Sequence, residues 1–326
     1  MAIKVSIVIP TYQRPQLLKR CIDSLILQEF LNEEYEIIVV TDGIDQQTEN
    51  TVEKCKANKY FSNIFCYSLP LKKGPAAARN AGWRIAKGKY ILFTDDDCIA
   101  SPDWVKYFCN AFEYYGQTLL AFTGKVIVPR SSLPTDFELN TANLETAAFV
   151  TANCGCTRAA LEEVNGFDEQ FTMAWREDSD LHFKLLKEKM PIIKIEEAVI
   201  FHPVRKAQWG VSLKEQKKSM FNALLFKKHP DLYKQMISSS VLWNYYLMIF
   251  LLPGSVIAMY FDQKILAIFL FSGWLVLLCL FVYKRLAKAS KSFKHVAEMI
   301  ATSILIPFLS VYWNLYGAYK FKVLHL

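Results

Sequence analysis

Short apolar runs alternate with helical patterns over the first hundred residues. Val5–Pro10, Glu36–Thr41 and Tyr90–Thr94 are mostly apolar and contain several β-branched side chains, which is typical of strands buried on both faces of a parallel sheet. The segments between them place apolar residues at helical spacing, and we predict helices over residues 15–28, 48–59 and 74–87. Strands and helices that alternate with short links predict a doubly wound α/β domain.

The same alternation continues to about residue 203. It predicts, in order, helix 104–115, strand 122–129, a mixed stretch, a segment over residues 158–164, a turn at Asn165-Gly166, a helix containing residues 177–189, and strand 199–201. In doubly wound sheets, ligands bind beyond the carboxyl ends of the strands. The polar residues that follow the strands are therefore the candidates for chemistry.

The pattern changes after residue 204. Residues 205–240 are basic and aromatic, and the apolar side chains among them could form one face of a helix with lysines on the other. This composition fits an interfacial helix at a membrane surface. It fits equally an ordinary amphipathic helix packed on the preceding domain.

Hydrophobic residues make up 52% of the chain, and their excess lies mostly after residue 240. Residues 241–261 and 265–283 are each long enough to cross a ~30 Å hydrocarbon layer at about 1.5 Å per residue. Their short separation predicts a tight helical hairpin. Residues 296–317 are a third candidate span, weakened by Glu298 near the start and Pro307 inside. A re-entrant or interfacial helix is the alternative for this third stretch.

The net charge of +7 is unevenly distributed. Residues 1–204 contain 22 Lys or Arg against 27 Asp or Glu, whereas residues 205–234 carry 8 basic residues against 2 acids, and residues 284–295 add 5 with no acid. Basic charge beside apolar spans is expected for contact with anionic lipid headgroups. No nucleic-acid recognition motif accompanies it, so no nucleic-acid partner is expected. The positive-inside rule places residues 284–295 in the cytosol.

The compartment of the N-terminal part follows from two further observations. Residues 1–10 read as a strand, without the apolar core and cleavage site of a secretion signal. The 8 cysteines show no paired spacing, and Cys154 and Cys156 are too close for a CxxC zinc or redox motif. We therefore expect reduced thiols in a cytosolic domain.

Three adjacent carboxylates, Asp95, Asp96 and Asp97, directly follow the predicted strand that ends at Thr94. Such carboxylates repel one another, and a divalent cation is the usual compensation. Mg²⁺ or Mn²⁺ suits oxygen ligands, and in a nucleotide-sugar transferase it would neutralise the diphosphate leaving group. A solvated turn is the alternative explanation of the run taken alone.

A second group of carboxylates, Glu177, Asp178 and Asp180, lies at a predicted helix start. The helix dipole favours carboxylates there by roughly 0.3–1 kcal/mol each, and a general base is the functional alternative. Asp42 follows the second strand, where it could bind a ligand or form a turn before Gly43. The sequence contains no dinucleotide, P-loop, hydrolase-elbow or metalloprotease motif.

Taken together, these features resemble family 2 of the inverting nucleotide-sugar glycosyltransferases, which have the GT-A fold. The resemblance covers about residues 4–204 and rests on the order and spacing of its motifs. These are Val5–Tyr12, Thr41-Asp42-Gly43, the GPAAARNAG run over residues 74–82, Tyr90–Asp97, Asn165–Asp168 and Glu177–Leu181.

The resemblance implies an α/β, Rossmann-like GT-A domain with a mostly parallel sheet over residues 1–204. Residues 1–100 would form its nucleotide-binding half and residues 101–204 its acceptor half. A basic juxtamembrane segment over residues 205–240 and an α-helical transmembrane region over residues 241–326 would follow.

The resemblance also assigns site residues. The nucleotide sugar would be held by Pro10, Thr11, Tyr12, Arg14, Asp42, Arg79, Asp95 and Asp96, with the ribose on Asp95 or Asp96. Asp97 would bind the metal with His202, for which a buried structural histidine is the alternative. Asp178 is the favoured base, and Glu177 and Asp180 are its rivals.

Two features depart from the family pattern. No QxxRW motif of processive synthases follows the acidic pair, since Arg205 and Gln208-Trp209 do not reproduce it. Cys154-Gly155-Cys156 occupies a position where less polarisable residues are expected, which leaves the acceptor contacts open.

The expected protein is a membrane-anchored inverting transferase that moves a sugar from a nucleotide-diphosphate donor, with UDP favoured, to a lipid-linked or glycan hydroxyl. It would work at the cytosolic face of a bacterial inner membrane, in cell-surface polysaccharide biosynthesis. A polyprenyl-phosphate glycosyltransferase is the second hypothesis. A non-catalytic membrane module that binds nucleotide sugars is the hypothesis of another class.

Overall fold

A computed structural model describes residues 2–57, 61–238 and 242–324 of the chain. These residues form two compact units. Unit 1 comprises Met1–Pro129 and Ala142–Val204, and unit 2 comprises Arg130–Thr141 and Arg205–Leu326. The segment Arg130–Thr141 thus groups with the C-terminal helices, although its sequence position falls within residues 1–204.

Unit 1 is built on a sheet that has eight strands over the described residues, in the order β3-β2-β1-β4-β7-β6-β8-β5. The first four in this order are parallel to one another, and β6 is parallel to β8. β7 pairs antiparallel with β4 and β6, and β5 pairs antiparallel with β8. The mostly parallel sheet predicted from the sequence is confirmed. The strands are β1 (Val5–Thr11), β2 (Tyr35–Thr41), β3 (Ile64–Ser68), β4 (Tyr90–Phe93), β5 (Ile99–Ala100), β6 (Ala121–Ile127), β7 (Cys154–Thr157) and β8 (Ile192–Phe201).

Helices cover both faces of this sheet. The helices through the end of unit 1 are α1 (Pro15–Ile26), α2 (Gln46–Lys56), α3 (Pro75–Ile85), α4 (Trp104–Tyr115), α5 (Asp136–Ala142), α6 (Arg158–Glu163) and α7 (Glu177–Lys187), with a 3₁₀ turn at Asn143–Glu145. Most of α5 belongs to unit 2. The predicted helix 48–59 ends earlier than expected, and its residues 58 and 59 lie outside the described residues.

The alternation of side chains along β1 divides the core into two layers, because successive residues of a strand point to opposite faces. Ile7 and Ile9 pack with α1, α2 and α4 on one face, whereas Val8 packs with α3, α6 and α7 on the other. Gly82 lies where α3 crosses the second face, and a Cβ there would collide with Val8. The small residues of the 74–82 run therefore allow α3 to lie close to the sheet.

Three strands, β3, β5 and β7, were not predicted, and β8 was predicted only in part. β3 was missed because it lies at the sheet edge, where Phe65 and Tyr67 are exposed and the apolar pattern is broken. β7 was missed because Cys-Gly-Cys-Thr lacks a run of β-branched residues. The predicted strand 199–201 is the end of β8, whose earlier part carries the charged residues Lys194 and Glu196.

The parallel strands bring the polar residues that follow them to one edge of the sheet. Thr11 and Thr41 are register partners at the ends of β1 and β2, and the Asp42 amide donates to the Thr11 carbonyl oxygen over 2.9 Å. Asp95 and the next two carboxylates follow β4, the other neighbour of β1. This edge of unit 1 is where the candidate site lies.

Unit 2 is helical over the residues described. After α5 it contains a 3₁₀ turn at Gln216–Ser219 and the helices α8 (Val211–Glu215), α9 (Met220–Lys228), α10 (Pro230–Met236), α11 (Trp243–Tyr260), α12 (Lys264–Leu286) and α13 (Phe293–Phe321). The last three are long and apolar enough to cross a membrane. They contain the predicted spans 265–283 and 296–317 and most of 241–261, whose residue 241 lies outside the described part of the chain.

The basic segment 205–240 is not one continuous helix but several short ones. Its apolar residues Met220, Phe221 and Leu224 are buried. Met220 lies against Gly317 of α13, where a Cβ would collide with it, and the Lys227 ammonium donates to the Phe321 carbonyl oxygen over 2.8 Å. The apolar side of this segment thus packs on α13 within unit 2.

Candidate active site

The three adjacent carboxylates after β4 have different partners. The Cys98 amide donates to the Asp95 carbonyl oxygen over 3.1 Å, which closes a tight turn around them. Asp96 and Asp97 are buried, whereas the Asp95 side chain is partly exposed. The run is therefore a built part of the protein interior, and the alternative of a solvated turn does not describe it.

Asp96 is held by one residue at the end of β1 and one just after it. The Thr11 hydroxyl donates to Asp96 Oδ2 over 2.7 Å, and Arg14 Nη1 donates to Oδ1 over 3.2 Å. Burial raises the pKa of Asp96, and the Arg14 charge opposes this shift. Three of the predicted donor-binding residues thus form one connected group.

Arg79 connects the carboxylate loop to the start of α7. It is 2% exposed, and Nη2 donates to Asp95 Oδ1 over 2.7 Å while Nη1 donates to Glu177 Oε1 over 3.1 Å. Charge-assisted hydrogen bonds from a planar guanidinium fix both position and orientation. Arg79 is therefore a buried residue that links the two acidic segments.

The acidic residues of α7 divide by environment. Burial raises the pKa of Glu177 to about 7, against the opposing charge of Arg79. Asp180 is fully buried with its Oδ2 3.5 Å from Lys184 Nζ. Asp178 is half-buried, and its Oδ1 accepts from the Ser179 amide over 2.6 Å.

Burial also raises the pKa of Asp178. A carboxylate that is partly accessible and more basic than usual suits a general base. The pairing of Glu177 with Arg79, and of Asp180 with Lys184, leaves Asp178 as the carboxylate of this turn that best fits the role.

His202 follows β8 and lies beside Asp97. Its amide donates to the Ile127 carbonyl oxygen over 2.8 Å, and its Nε2 is 3.5 Å from Asp97 Oδ1. Its Nδ1 is buried and has no hydrogen-bond partner among the described residues. A carboxylate and an imidazole at this distance fit a divalent ion such as Mn²⁺, so the residues present are compatible with the predicted metal.

Cys98 lies in the same cluster and was missed by the sequence analysis. Each residue of the cluster, Asp97, Cys98 and His202, offers one ligand atom. These three atoms lie within 4.8 Å of one another, and all three residues are buried. The position of Cys98 next to the acidic run was the only available signal, and a cysteine without a spaced partner is not a recognisable metal motif.

Asp42 supports the loop that leads into α3. Its Oδ1 accepts from the Lys73 amide over 2.7 Å and from the Gly74 amide over 2.9 Å. Gly74 has a φ of 102° and lies against the Thr172 backbone, where a side chain would collide. In this structure the Asp42 carboxylate therefore fixes the start of the helix that carries Arg79.

The other two predicted donor-binding residues lie near the end of β1. Pro10 is buried within β1 opposite Val40. Tyr12 is half-buried, and Lys72 Nζ lies 3.5 Å from its ring centroid.

Cys154 and Cys156 are core residues of unit 1. Both are fully buried and pack in the same apolar cluster as Phe93, and burial raises the pKa of each thiol. The preceding Asn153 accepts from Trp104 Nε1 over 2.8 Å and donates to two backbone carbonyls, those of Lys125 and Ala198. Asn153 thereby supports β6 and β8 and, through β8, His202, a role that the sequence analysis did not identify.

Two family models match the chain. One is described as Glycosyl transferase family 2 and matches residues 6–163, and the other is described as Glycosyl transferase family group 2 and matches residues 90–289. The second match covers more than half of the chain.

A curated relative is the poly(ribitol-phosphate) beta-glucosyltransferase of Bacillus spizizenii, which is 38% identical over 107 residues. The match covers 32% of this chain and 17% of that protein. The chain spans less than two thirds of the length of this relative and of others that it matches over longer stretches.

Two solved structures are similar over almost the whole chain. The mannosyltransferase PcManGT from Pyrobaculum calidifontis, in complex with GDP-Man and Mn²⁺, has a TM-score of 0.60 at 16% identity and covers 97% of this chain and 88% of its own. S. aureus TarS 1-349 in complex with UDP has a TM-score of 0.53 at 16% identity, with coverages of 99% and 93%. At this identity the likeness shows the fold, which is the GT-A fold expected from the sequence.

Proposed function

The chain belongs to glycosyl transferase family 2, and we propose that it transfers a hexosyl group with inversion from a nucleoside diphosphate donor to a hydroxyl acceptor at a membrane surface. The observation that carries this proposal is the junction made by Arg79. Its guanidinium joins Asp95, in the donor-side loop, to Glu177, which precedes Asp178. Donor-side and acceptor-side carboxylates thus belong to one connected site.

The proposed reaction is a single displacement. Asp178 accepts the proton of the acceptor hydroxyl while the hydroxyl oxygen forms a bond to the anomeric carbon of the sugar. The bond from that carbon to the diphosphate oxygen breaks, and the nucleoside diphosphate leaves with the electron pair. A divalent ion, Mn²⁺ or Mg²⁺, held by Asp97 and His202 would supply neutralisation of the charge on the leaving group. Arg79 keeps Asp95 and Glu177 in place by direct hydrogen bonds.

UDP is the proposed donor nucleotide, bound by the residues from Pro10 to Arg14 with Asp42, Arg79, Asp95 and Asp96. TarS, a structural neighbour, was solved with UDP, whereas PcManGT was solved with GDP-Man. The preference for UDP therefore rests on the resemblance rather than on the fold, and a panel of donors is the appropriate test.

The proposed acceptor is a lipid-linked or glycan hydroxyl at the cytosolic face of a bacterial inner membrane. Three apolar helices suggest membrane association. Lys284, Lys288, Lys291 and Lys294 are exposed at or after the end of α12 and support a cytosolic location for that end. The curated relative acts, by its name, on poly(ribitol-phosphate), which supports a polymeric acceptor as one member of the class.

Nucleotide release is the direct test. The full chain in detergent would be given UDP-, GDP- and dTDP-sugars with a bacterial lipid extract, in Mn²⁺ or in EDTA. We expect release of nucleoside diphosphate from one donor, dependent on the metal and increased by the extract. Binding of a donor without release under any of these conditions would favour the non-catalytic module instead.

The same assay separates the two enzyme hypotheses. A hydroxyl acceptor requires a base, whereas a lipid phosphate is already ionised and needs little deprotonation. Asp178→Asn should therefore abolish release with a hydroxyl acceptor, and the matched control Glu188→Gln, an exposed carboxylate just beyond α7, should not. Release by Asp178→Asn at the normal rate with purified polyprenyl phosphate would support the polyprenyl-phosphate enzyme.

A further inference from the structure

The cluster of Asp97, Cys98 and His202 contains a sulfur atom that the proposed reaction does not use. The three residues are 6%, 1% and 6% exposed, and their ligand atoms lie within 4.8 Å of one another. A carboxylate, a thiol and an imidazole are the ligand types that zinc-class ions combine. Cys98 is also part of an apolar cluster, so packing alone is the competing explanation for it.

Strand register explains why Cys98 and His202 meet. β5 and β8 are antiparallel, with Ile99 opposite Phe201 and Ala100 opposite Ile200. One further step along this register places Cys98 opposite His202. Directly opposite residues in an antiparallel pair project to the same face with Cβ atoms about 4.5–5.5 Å apart. The fold therefore places the two side chains close enough for the thiol and the imidazole to approach one another.

The surroundings of the His202 imidazole provide a second observation. The side chain is more than nine-tenths buried, and its Nδ1 has no hydrogen-bond partner among the residues described. An imidazole binds an ion through one of its two ring nitrogens. Here that nitrogen is Nε2, which faces Asp97, and no described residue fixes the ring through Nδ1. The 3.5 Å between His202 Nε2 and Asp97 Oδ1 is close to the separation of two ligands of one ion.

We propose that Cys98 is a third protein ligand of the metal centre and that it gives the centre a preference for zinc-class ions over Mg²⁺. This deepens the proposed function, from which it takes Asp97 and His202 as ligands. Sulfur is a soft ligand that Mg²⁺ avoids and that Zn²⁺ and Cd²⁺ bind well. Two ligand atoms of one tetrahedral ion are about 3.3–3.7 Å apart, and the ligand atoms of this cluster lie within 4.8 Å of one another.

If Cys98 is a ligand, the occupancy of the centre and the turnover should depend on which ion is supplied, in a way that Asp97 and His202 alone would not produce. Zn²⁺ or Cd²⁺ should occupy the centre in the absence of nucleotide, because three protein ligands hold it. Mg²⁺, which keeps several waters and prefers oxygen, should bind weakly until donor phosphates are present. Zn²⁺ should therefore displace Mg²⁺ and change turnover.

Cadmium titration tests the ligand directly, because a cadmium–thiolate bond gives an ultraviolet charge-transfer band. The full chain in detergent would carry Cys66→Ser and Cys279→Ser, which remove the two thiols that are not buried. We expect this protein to show the band at one equivalent of Cd²⁺. Cys98→Ser should lose the band and bind Cd²⁺ at least about tenfold more weakly.

Cys21→Ser is the matched control. Cys21 is a buried thiol whose Sγ contacts the Asp95 carbonyl oxygen at 3.4 Å, but it is not a member of the cluster. The Cys21→Ser variant should keep both the cadmium–thiolate band and the affinity for Cd²⁺. An unchanged band and affinity in Cys98→Ser would overturn the proposal and leave Cys98 as a packing residue.

Cys98→Asp gives a second test that does not depend on loss of binding. An added carboxylate should strengthen Mn²⁺ binding, measured by electron paramagnetic resonance, and weaken Cd²⁺ binding. Equal changes for both ions would contradict a role for sulfur in selectivity. If the band behaves as expected but no sugar donor releases nucleotide, the ligand assignment stands and the proposed transferase reaction fails.

Discussion

Each unit of the protein contains a nearly buried arginine, and the two arginines differ in their partners. Arg79 in unit 1 pairs with two carboxylates, Asp95 and Glu177. Arg285 in unit 2 pairs with one carboxylate, Asp136, at 2.8 Å, and otherwise with hydroxyl groups and a backbone carbonyl. Arg79 lies among acids whose pKa values burial raises, whereas most partners of Arg285 are neutral groups, as is typical of a structural contact.

The Arg285 contacts explain how residues 130–141 come to belong to unit 2. Arg285 lies in the last turn of α12, where the helix dipole favours a cation. It joins Asp136 of α5 to Thr302 and Ser303 of α13, over 2.8, 2.7 and 3.0 Å. His295 Nε2 also accepts from the Asp136 amide over 3.2 Å. These contacts attach a segment that follows β6 in sequence to the C-terminal helices.

The units also differ in where their apolar side chains lie. In unit 1 most large apolar residues of the sheet are buried, whereas Phe250, Ile265 and Phe269 of α11 and α12 are 71%, 87% and 74% exposed. Exposed apolar faces of this size mark contact with a partner or with lipid. Buried charge thus marks the proposed chemistry in unit 1, and exposed apolar surface marks the proposed anchor in unit 2.

The largest effect is expected from Asp178→Asn. Removing a general base typically costs about 10²–10⁴-fold in turnover, and donor affinity should remain close to that of the unmodified chain. Nucleotide release and donor binding by calorimetry would be measured side by side. Near-normal turnover would exclude Asp178 as the base and return attention to Glu177.

Removing the unit 2 arginine should affect stability instead. Arg285→Met leaves Asp136 nearly buried without its charge partner, and breaking a buried pair costs about 3–5 kcal/mol. Hydrogen exchange should increase at residues 130–141 and at the ends of α12 and α13. Lys284→Met, at an exposed position on the same helix, is the control. Equal exchange in the two variants would contradict the anchoring role.

A smaller effect is expected in the pH dependence of stability. The pKa of Glu177 is about 7 in the folded chain against an ordinary 4.5, so between these values the folded state holds a proton that the unfolded state has lost. The free energy of unfolding from this group therefore decreases as pH rises through that window. Glu177→Gln should remove this decrease, measured by denaturant unfolding between pH 4.5 and 7. If the free energy of unfolding changed with pH in the same way in the unmodified chain and in Glu177→Gln, the raised pKa of Glu177 would be contradicted.

His182 provides the opposite control. Burial lowers its pKa to about 4 from an ordinary 6.5, so in that window the unfolded state binds the extra proton and stability from this group increases with pH. His182→Phe should remove an increase where Glu177→Gln removes a decrease. If both variants changed the pH dependence of the unfolding free energy in the same direction, the opposite pKa shifts of Glu177 and His182 would be contradicted.

The smallest effect is expected at Cys156. Because the thiol is a core group of unit 1, Cys156→Ala should lower the free energy of unfolding by about 1 kcal/mol and leave turnover per folded molecule unchanged. Thermal unfolding and nucleotide release would be compared. Lost turnover at normal stability would instead indicate an acceptor contact.

Local patterns predicted much of unit 1. The β1, β2 and β4 runs are continuous and apolar, and helix 104–115 has the predicted bounds. The convergence of Thr11, Asp42 and Asp95 followed from the rule that parallel strands end at one edge. Pairing between distant residues could not be predicted: Arg79 and Glu177 are 98 positions apart, and Asp136 and Arg285 are 149 apart. No local pattern encodes such contacts, and for that reason neither the Arg79 junction nor the membership of residues 130–141 in unit 2 was foreseen.

The most direct test compares the two arginines in one assay. Arg79→Met and Arg285→Met would be purified in detergent, and nucleotide release from the preferred donor would be measured per folded molecule. Arg79→Met should lose at least about tenfold in turnover, whereas Arg285→Met should stay within about twofold of the unmodified chain. Equal losses, or a larger loss in Arg285→Met, would contradict the assignment of the chemistry to unit 1 and of the anchoring contact to unit 2.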